Sequence, residues 1–419
     1  MIGGLMHHTR SDLARLEGNA TVIVSAMRTP TGRRRGSLSH MTAAELGAHA
    51  VRAALARVPR VVDDVAQVIF GNVYQGGAGQ NVARQVALGA GLAVRVPAMT
   101  VNEVCGSGLK SVILAEQLIR LRRADVVVAG GTESMTRAAL VSAYDPGTRS
   151  YLDPQPSLMV DGLTDAFSGE AMGVTAEEVA KQHAIDRASQ DAWALRSHER
   201  AAGATRDGLY AQEIAPVDLS DGERLDHDEP IRPDTDEERL AGLRPVFAED
   251  GTVTAGNASS VADGAAALVV TSADYARRHG LDVMAVVSSS SEIAIDPQIM
   301  GFSPTTAIRD LLSHQGLTTA DVDSYEINEA FAATSLAVSQ DLDLDPETVN
   351  PTGSSIALGH PLGASGARIL VTLVHRLRRE GLHRGVASLC VGGGMGIAVL
   401  VESLARSESL ARSETVGAR

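Results

Sequence analysis

The sequence predicts an α/β protein built from two copies of one unit, with a long insertion in the first copy. Short apolar runs alternate with stretches of helical spacing along most of the chain. The same order of elements returns in the second half, and residues from about 132 to 250 interrupt it with turn-forming and charged segments. Such alternation is typical of sheets with crossover helices, and its repetition indicates duplication rather than two unrelated domains.

The first copy opens with a short buried strand and reaches a glycine-rich turn between a later strand and a helix. Its predicted elements are strand 21–25, helix 42–55, strand 64–70, strand 98–101, helix 109–119 and strand 126–128. The insertion that follows carries an amphipathic helical stretch at 174–202 and a charged, proline-punctuated loop at 221–238.

The second copy repeats this opening before another turn leads into a helix. Its predicted elements are strand 283–287, helix 307–312, strand 325–328, helix 367–377 and strand 385–389. We therefore divide the chain into an N-terminal extension (1–19), a first half with the insertion (20–283), a second half (284–402) and a tail (403–419).

The composition excludes several classes of protein. The net charge of −14 opposes a general polyanion-binding role, and an aromatic content of 3% opposes nucleic-acid binding through base stacking. The sequence shows no secretory signal and no apolar stretch of membrane-spanning length. Two distant cysteines do not suggest a disulfide framework, so we expect a reduced, cytoplasmic setting.

Both cysteines, Cys105 and Cys390, lie in glycine-dense turns where the backbone can approach a ligand closely. Cys105 is placed where a strand gives way to a helix, whose unpaired N–H groups and positive end favour a thiolate. Its own N–H is a candidate oxyanion donor. The alternative is a small buried residue that fills a gap between helix and sheet.

His360 and Asn328 are the other candidates for chemistry. His360 precedes a proline at the expected start of a helix, in the position of the second copy that corresponds to the Cys105 turn. An imidazole there can take the thiol proton and later donate to an oxyanion, although a lone histidine is more often a packing residue. Asn328 lies at a strand end, where helix capping is the simpler explanation.

The glycines after Cys390 form a candidate nest of N–H groups, with a tight hairpin as the alternative. The P-loop pattern and the dinucleotide-binding pattern are both absent from this segment, which argues against nucleotide phosphate binding there.

Five segments in this order resemble the motifs of the thiolase family. They are residues 102–110, 129–135, 328–332, 359–361 and 390–396, and the resemblance extends from about residue 20 to residue 402. It implies a five-layer α-β-α-β-α fold with the active site between the two halves.

The resemblance implies a role for each matching residue. Cys105 is expected to accept an acyl group from an acyl-CoA, and His360 to activate it. Cys390 is expected to remove the α-proton of a second acetyl-CoA, or to return it in thiolysis. Asn328 would hold a water that forms one oxyanion hole with His360, and the N–H groups of Cys105 and Gly392 would form the other.

The resemblance also implies that the inserted region binds coenzyme A. Met172 and Ser259 are expected near the pantetheine and Arg232 near the adenosine end, while Met300 resembles short-chain biosynthetic members. No cofactor is expected besides the coenzyme A thioesters that serve as substrates. A homodimer or homotetramer is the expected assembly, with neither nucleic acid nor membrane as a partner.

The chain departs from the family pattern at two places. Biosynthetic members commonly have a histidine where Ala171 stands here, and Ser354 and Ser355 replace a pair of glycines before His360. We expect Claisen condensation of two acetyl-CoA to acetoacetyl-CoA, with a degradative 3-ketoacyl-CoA thiolase as the nearest alternative. Acyl-carrier-protein condensing enzymes have histidines where this chain has Cys390 and Asn328. A thiolase-fold lipid-binding protein is a further alternative, but it would have no need of both cysteines and His360.

Overall fold

The structure, a computed structural model, describes residues 13–220 and 222–404. The first twelve residues of the predicted N-terminal extension and the predicted tail beyond residue 404 lie outside this range. No helix in the described part is long and apolar enough to cross a membrane.

In the described part of the chain, the first half supplies six strands of the main sheet, including the short strand Gly32–Arg33, and seven α-helices, three of them in the insertion. The strands are β1 Thr21–Arg28, β2 Gln67–Gly71, β3 Ala98–Val101, β4 Val126–Ser134 and β5 Ala262–Ser272. The helices are α1 Ala43–Arg57, α2 Val82–Gly89, α3 Ser107–Arg120, α4 Met172–Gln182, α5 Arg187–Arg206, α6 Glu237–Ala241 and α7 Ala273–His279.

The second half repeats the order of strands and helices without a comparable insertion. Its strands are β6 Ala285–Ala294, β7 Ser324–Ile327, β8 Arg384–Val391 and β9 Met395–Glu402. Its helices are α8 Ser303–Gln315, α9 Ala332–Asp341, the short α10 Ser355–Leu358 and α11 Leu362–Glu380.

The described strands form one ten-stranded mixed sheet in the order β7-β8-β9-β6-β1-β5-β4-β2-β3, with the short strand Gly32–Arg33 paired to β5. In each half the outer strands, toward the edge of the sheet, run parallel, and the last strand in the sequence runs antiparallel to its neighbours. The halves meet where β1 and β6 pair antiparallel, with Thr21 opposite Val287.

The helices complete five layers. Helices α1 and α2 pack on the outer face of the first-half sheet, and α8 and α9 pack on that of the second half. Helices α3 and α11 pack against each other in the central layer, in the cluster of buried residues that includes strands of both halves. The predicted five-layer α-β-α-β-α fold is therefore confirmed.

Helices α3 and α11 approach closely because their contact is built from glycine. A Cβ on Gly108 would lie 2.7 Å from the backbone nitrogen of Ala367, and one on Gly366 would lie 2.5 Å from that of Leu109. Side chains at these positions would force the helices apart, so the glycines set the spacing of the central layer.

The inserted region runs from 135 to 261, later at both ends than the predicted range of about 132 to 250. The reason is that β4 continues through Thr132 and Glu133 to Ser134, since the strand pairs with β5 along this length. The insertion is joined to the sheet by buried Arg28 on β1, whose guanidinium donates to Glu213 at 2.7 Å and to Asp228 at 2.7 and 2.9 Å.

Short elements make up the rest of the insertion. Pairs of two-residue strands form at Leu140–Val141 with Gln155–Pro156, Tyr144–Asp145 with Ser150–Tyr151, and Val217–Asp218 with Arg224–Leu225. The helical stretch predicted at 174–202 is two helices, because Ala184 takes a left-handed conformation (φ 51°) between them and Asp186 caps α5.

Candidate active site

Cys105 is held at the end of a strained turn between β3 and α3. The residue before it, Val104, has a φ of 46°, a conformation that a β-branched side chain rarely adopts. The hydroxyl of Ser107 fastens the turn, because it accepts from the Glu103 N–H at 2.8 Å and donates to the Val104 carbonyl at 2.7 Å. Strain of this kind costs on the order of 1–3 kcal/mol and is found mostly at functional sites.

The turn after Cys390 packs directly on the Cys105 turn. A Cβ on Gly106 would lie 2.9 Å from the Val391 side chain, and one on Gly392 would lie 3.3 Å from that of Val104. Gly393 and Gly394 adopt positive φ values of 88° and 83°, which close the turn between β8 and β9. The two glycine-rich turns therefore bring the cysteines from opposite halves together.

Both thiols are protonated at neutral pH. Burial raises the pKa of Cys105 well above its usual range, and the neighbouring Cys390 raises it further. The N–H groups of Gly392 and of Cys105 itself act in the opposite direction without compensating. Burial also raises the pKa of Cys390, to about 12. The N–H groups that face Cys105 therefore do not offset the effect of burial, and its thiol needs a base.

His360 offers an unprotonated nitrogen for this purpose. The hydroxyl of Ser365 donates to the Pro361 carbonyl at 3.0 Å and lies 2.6 Å from Nδ1 of His360. Because the only hydroxyl proton is already used, Nδ1 must carry the proton and donate to Ser365. This leaves Nε2 with a free lone pair. Burial, followed by the charge of Arg368, lowers the pKa of His360 to about 3, so the ring is neutral.

Asn328 faces the same ring nitrogen. Its side-chain nitrogen lies 3.5 Å from Nε2 of His360, and its backbone N–H donates to the Ser388 carbonyl at 3.0 Å. Asn328 is not a helix cap, because α9 begins at Ala332 and its N-cap residue makes no side-chain cap bond. The carboxamide is thus free to donate toward a group bound beside His360.

Glu133 fixes the start of helix α11, which follows directly after His360 and Pro361. Its carboxylate accepts from the Asn72 side chain at 2.7 Å and from the backbone N–H groups of Val73, Tyr74 and Gly363 at 2.9, 3.2 and 2.9 Å. Burial raises the pKa of Glu133 to about 7, although these three N–H groups lower it. The end of β4, in the first half, thereby holds the loop of the second half that carries His360.

The residue next to Asn328 joins the site to the insertion. Glu329 accepts from the Trp193 indole at 2.9 Å and from the Ser197 hydroxyl at 2.6 Å, both on α5. It also accepts from the Asn350 carboxamide at 3.3 Å. Helix α5 is therefore fixed relative to the strand end that presents Asn328.

An apolar wall lies beside Cys390. Met300 and Phe331 are buried in one cluster with Cys390, and Met172 of α4 packs against it. Ser259 borders this wall, because its N–H donates to the Ala330 carbonyl at 2.9 Å. Arg232 lies outside the cluster, with an exposed side chain and its N–H bonded to Nδ1 of His198 at 3.1 Å.

Sequence reasoning missed three residues that shape this site: Glu133, Ser365 and Arg368. Glu133 belongs to one of the five segments that resemble the family motifs, and Ser365 lies five residues after His360, so their positions carried a signal. What each one bonds to depends on the packing of separate segments. In the described part of the chain, no group of three or more His, Cys, Asp or Glu residues is arranged to hold a metal ion.

The assembled groups suit acyl transfer between thioesters. One buried thiol lies next to N–H donors, a second thiol lies against an apolar wall, and a neutral imidazole and a carboxamide face each other. Acyl transfer followed by carbon–carbon bond formation needs a nucleophile, a base for a weakly acidic C–H and donors for oxyanions.

Comparison with known proteins gives the family. The thiolase N-terminal domain matches residues 21–274 and the thiolase C-terminal domain matches residues 281–403. An acetyl-CoA acetyltransferase of Cupriavidus necator is 46% identical over 91% of this chain and 98% of its own length. The cytosolic acetyl-CoA acetyltransferase of Mus musculus is 45% identical over 91% of this chain and 98% of its own length.

Solved structures agree in fold. Human mitochondrial 3-ketoacyl-CoA thiolase superposes with a TM-score of 0.89 at 42% identity, over 93% of this chain and all of its own. Acetyl-CoA acetyltransferase of Bacillus anthracis superposes with a TM-score of 0.88 at 40% identity, over 92% of this chain and 99% of its own. The duplicated fold, the paired cysteine turns and these matches together show that the chain is a member of the thiolase family.

Proposed function

We propose that this protein is an acyltransferase that condenses two molecules of acetyl-CoA to acetoacetyl-CoA and free coenzyme A, and that it runs the reverse thiolysis. The observation that carries the proposal is the meeting of Cys105 and Cys390 from opposite halves, with the N–H of Gly392 directed at the Cys105 sulfur. Relatives named acetyl-CoA acetyltransferase, about as long as this chain, support the choice of acetyl groups.

The first half-reaction loads Cys105. Nε2 of His360 takes the thiol proton, and the sulfur attacks the carbonyl carbon of acetyl-CoA. The N–H groups of Cys105 and Gly392 stabilise the oxyanion of the tetrahedral intermediate. The carbon–sulfur bond to coenzyme A then breaks, and the leaving thiolate recovers the proton from His360.

The second half-reaction forms the carbon–carbon bond. Cys390, as a thiolate after losing its proton to solvent, removes an α-proton from a second acetyl-CoA, and the NH₂ group of Asn328 donates to the enolate oxygen. The enolate carbon attacks the acetyl carbonyl on Cys105, and the bond to Cys105 breaks to release acetoacetyl-CoA. Removing one oxyanion donor typically lowers the rate by about 10²–10³-fold, so we expect these donors to make the largest contribution to lowering the activation free energy.

The remaining assignments belong to the same proposal. Met172 and Ser259 contact the pantetheine, and Arg232 on the exposed loop meets the adenosine end. A structure of human mitochondrial 3-ketoacyl-CoA thiolase in complex with CoA, at 41% identity and a TM-score of 0.87, supports acyl-CoA as the ligand class. We further propose a cytoplasmic homotetramer, or a homodimer, that acts in fatty acid metabolism without a cofactor beyond its coenzyme A thioesters.

A degradative 3-ketoacyl-CoA thiolase of longer chain length is the second candidate. The superposition with human mitochondrial 3-ketoacyl-CoA thiolase favours it, and the replacement of the usual histidine by Ala171 is compatible with it. The buried Met300 and Phe331 beside Cys390 favour the short-chain reaction, because they fill space that a longer acyl chain would need.

Covalent loading tests the proposed function directly. Intact-protein mass spectrometry after brief exposure to acetyl-CoA should show one acetyl adduct, and Cys105→Ala should abolish it. Cys390→Ala is the matched control, since it removes the other buried thiol and should keep the adduct. An adduct that persists in Cys105→Ala contradicts the assignment of the nucleophile.

A further inference from the structure

A buried row of polar side chains lies behind Asn328. The guanidinium of Arg368, on α11, donates from Nη2 to the Ser355 hydroxyl at 2.8 Å. The Ser355 hydroxyl in turn donates to Oδ1 of Asn328 at 2.6 Å, and Nδ2 of Asn328 lies 3.5 Å from Nε2 of His360. None of these four side chains is more than 6% exposed, so water does not compete for the bonds.

The direction of each hydrogen bond in this row follows from the donor at its far end. A guanidinium carries only donors, so the Ser355 oxygen must accept from Arg368. The single hydroxyl proton of Ser355 is then available for Oδ1 of Asn328. With Oδ1 committed, the NH₂ group of the carboxamide has to point toward His360 and the substrate space.

The guanidinium that starts the row interacts electrostatically with a buried carboxyl group. Glu326 on β7 is completely buried, and Arg368 is the main charge that lowers its pKa, although burial raises the pKa overall to about 8. Arg368 has a second contact, from Nη2 to the Ser354 hydroxyl at 3.2 Å. The contacts described for the Ser354 side chain end at this guanidinium and do not extend to Asn328.

We propose that Ser355 is a positioning residue for carbon–carbon bond formation, because it sets the orientation in which Asn328 offers its NH₂ group. Ser355 acts through Asn328 and does not touch the reacting atoms. The inference rests on the proposed function, in which Asn328 serves the enolate of the second acetyl-CoA and not the loading of Cys105. It explains one of the two serines that replace glycine in the family pattern.

The consequence of losing Ser355 is specific. Without its hydroxyl, Oδ1 of Asn328 has no fixed donor, and the carboxamide can turn its acceptor toward the enolate oxygen. We expect Ser355→Ala to lower kcat for condensation and thiolysis by about 10- to 100-fold, somewhat less than the loss of a whole oxyanion donor. The KM and the rate of Cys105 acetylation by acetyl-CoA should stay within about twofold, since Asn328 plays no part in either.

The matched control is Ser354→Ala, which removes a hydroxyl bonded to the same Nη2 and should leave both rates within about twofold. A double-mutant cycle completes the test, because Ser355→Ala should add less than twofold to the defect of Asn328→Ala. Ser355→Cys, with a similar volume and a weak donor, is a second variant and should reproduce the loss of kcat if Ser355→Ala fails to fold.

The results separate the two proposals. Wild-type turnover in the Ser355 variants, an equal loss in Ser354→Ala, a parallel fall of acetylation and turnover, or full additivity with Asn328→Ala overturns the positioning role. Absence of acetylation in the wild-type protein instead overturns the proposed function itself.

Discussion

Burial and hydrogen bonding have opposite effects on the pKa of the Cys105 thiol. The site shields the sulfur from water, which disfavours the thiolate, while N–H groups of two turns face it. In the proposed mechanism, Cys105 therefore remains a thiol until His360 accepts the proton. The imidazole of His360 is neutral over the whole physiological range, because the pKa of this ring is lowered to about 3.

The ionisation of Cys105 gives a prediction for pH dependence. For a thiol whose pKa lies above the tested range, the thiolate fraction grows about tenfold per pH unit. The rate of Cys105 alkylation by iodoacetamide should therefore rise without a plateau from pH 6 to pH 9. Mapping of the modified peptide distinguishes Cys105 from Cys390, and Cys105→Ala reports the background. A plateau below pH 8 would show that the thiolate is stabilised after all.

Cys390 gives a second prediction at the same scale. Cys390→Ser should still acquire an acetyl group on Cys105, because the first half-reaction does not use Cys390. Exchange of the α-protons of acetyl-CoA with deuterated solvent should slow by about 10²-fold or more, since a hydroxyl is a much weaker acid than a thiol and is rarely ionised. Mass spectrometry of recovered acetyl-CoA measures the exchange. An unchanged rate removes Cys390 from the role of base.

The site is held together by a few contacts between elements of different halves. The end of β4 meets the start of α11 at Gly131, where a Cβ would lie only 1.9 Å from the Gly363 carbonyl oxygen. Two residues farther along β4, Glu133 accepts from the Gly363 N–H. Since His360 directly precedes Pro361 and α11, this junction fixes the loop that carries the imidazole.

Gly131→Ala tests that junction. The added methyl group meets backbone on the opposite side, so we expect a loss of about 1–3 kcal/mol in the free energy of unfolding, as for other overpacked sites. Denaturant unfolding measures the loss, and Cys105 acetylation should slow as well, because the His360 loop must move. The control is Gly203→Ala in α5, where a Cβ lies 3.6 Å from the nearest atom and alanine should be neutral or stabilising. Equal stability of both variants contradicts the argument.

Over the whole molecule, local signals in the sequence predicted the fold and the turns of the site. The alternation of strands and helices is a local pattern, and so is the clustering of glycines around Cys105 and Cys390. Both patterns, and the repetition of the first, can be recognised in the sequence alone. The predicted strand at 126–128 is too short, because pairing with β5 extends β4 to Ser134.

The features that could not be predicted involve residues brought together by folding. Glu133 and Gly363 belong to different halves, as do Gly106 and Val391, and their contacts exist only after α3 and α11 have packed. The raised pKa of Cys105 has the same origin, because burial arises from docking of the halves and not from the turn itself. Long-range packing therefore decides the protonation state, while the sequence motif decides only which residues are present.

Substrate range is likewise a property of the whole molecule, since the wall beside Cys390 combines α4 of the insertion with residues of the second half. Met172, Met300 and Phe331 pack in this cluster, and Met300 and Phe331 are buried. We expect kcat/KM in thiolysis to be highest for acetoacetyl-CoA and to fall along a series of longer 3-ketoacyl-CoA substrates. Each methylene in an apolar pocket is worth about 1–3 kcal/mol, so a steric block should change the ratio at least tenfold.

Met300→Ala should enlarge the space beside Cys390 and raise kcat/KM for a six-carbon substrate relative to acetoacetyl-CoA by about tenfold. Leu121→Ala, a change of an exposed residue after α3, serves as the control and should leave the ratio unchanged. Thiolysis rates measured with the same coenzyme A concentration for both substrates give the ratio directly. If the wild-type protein already prefers substrates of six or eight carbons, the apolar wall does not limit chain length. The proposed function is then the degradative 3-ketoacyl-CoA thiolase and not the biosynthetic enzyme.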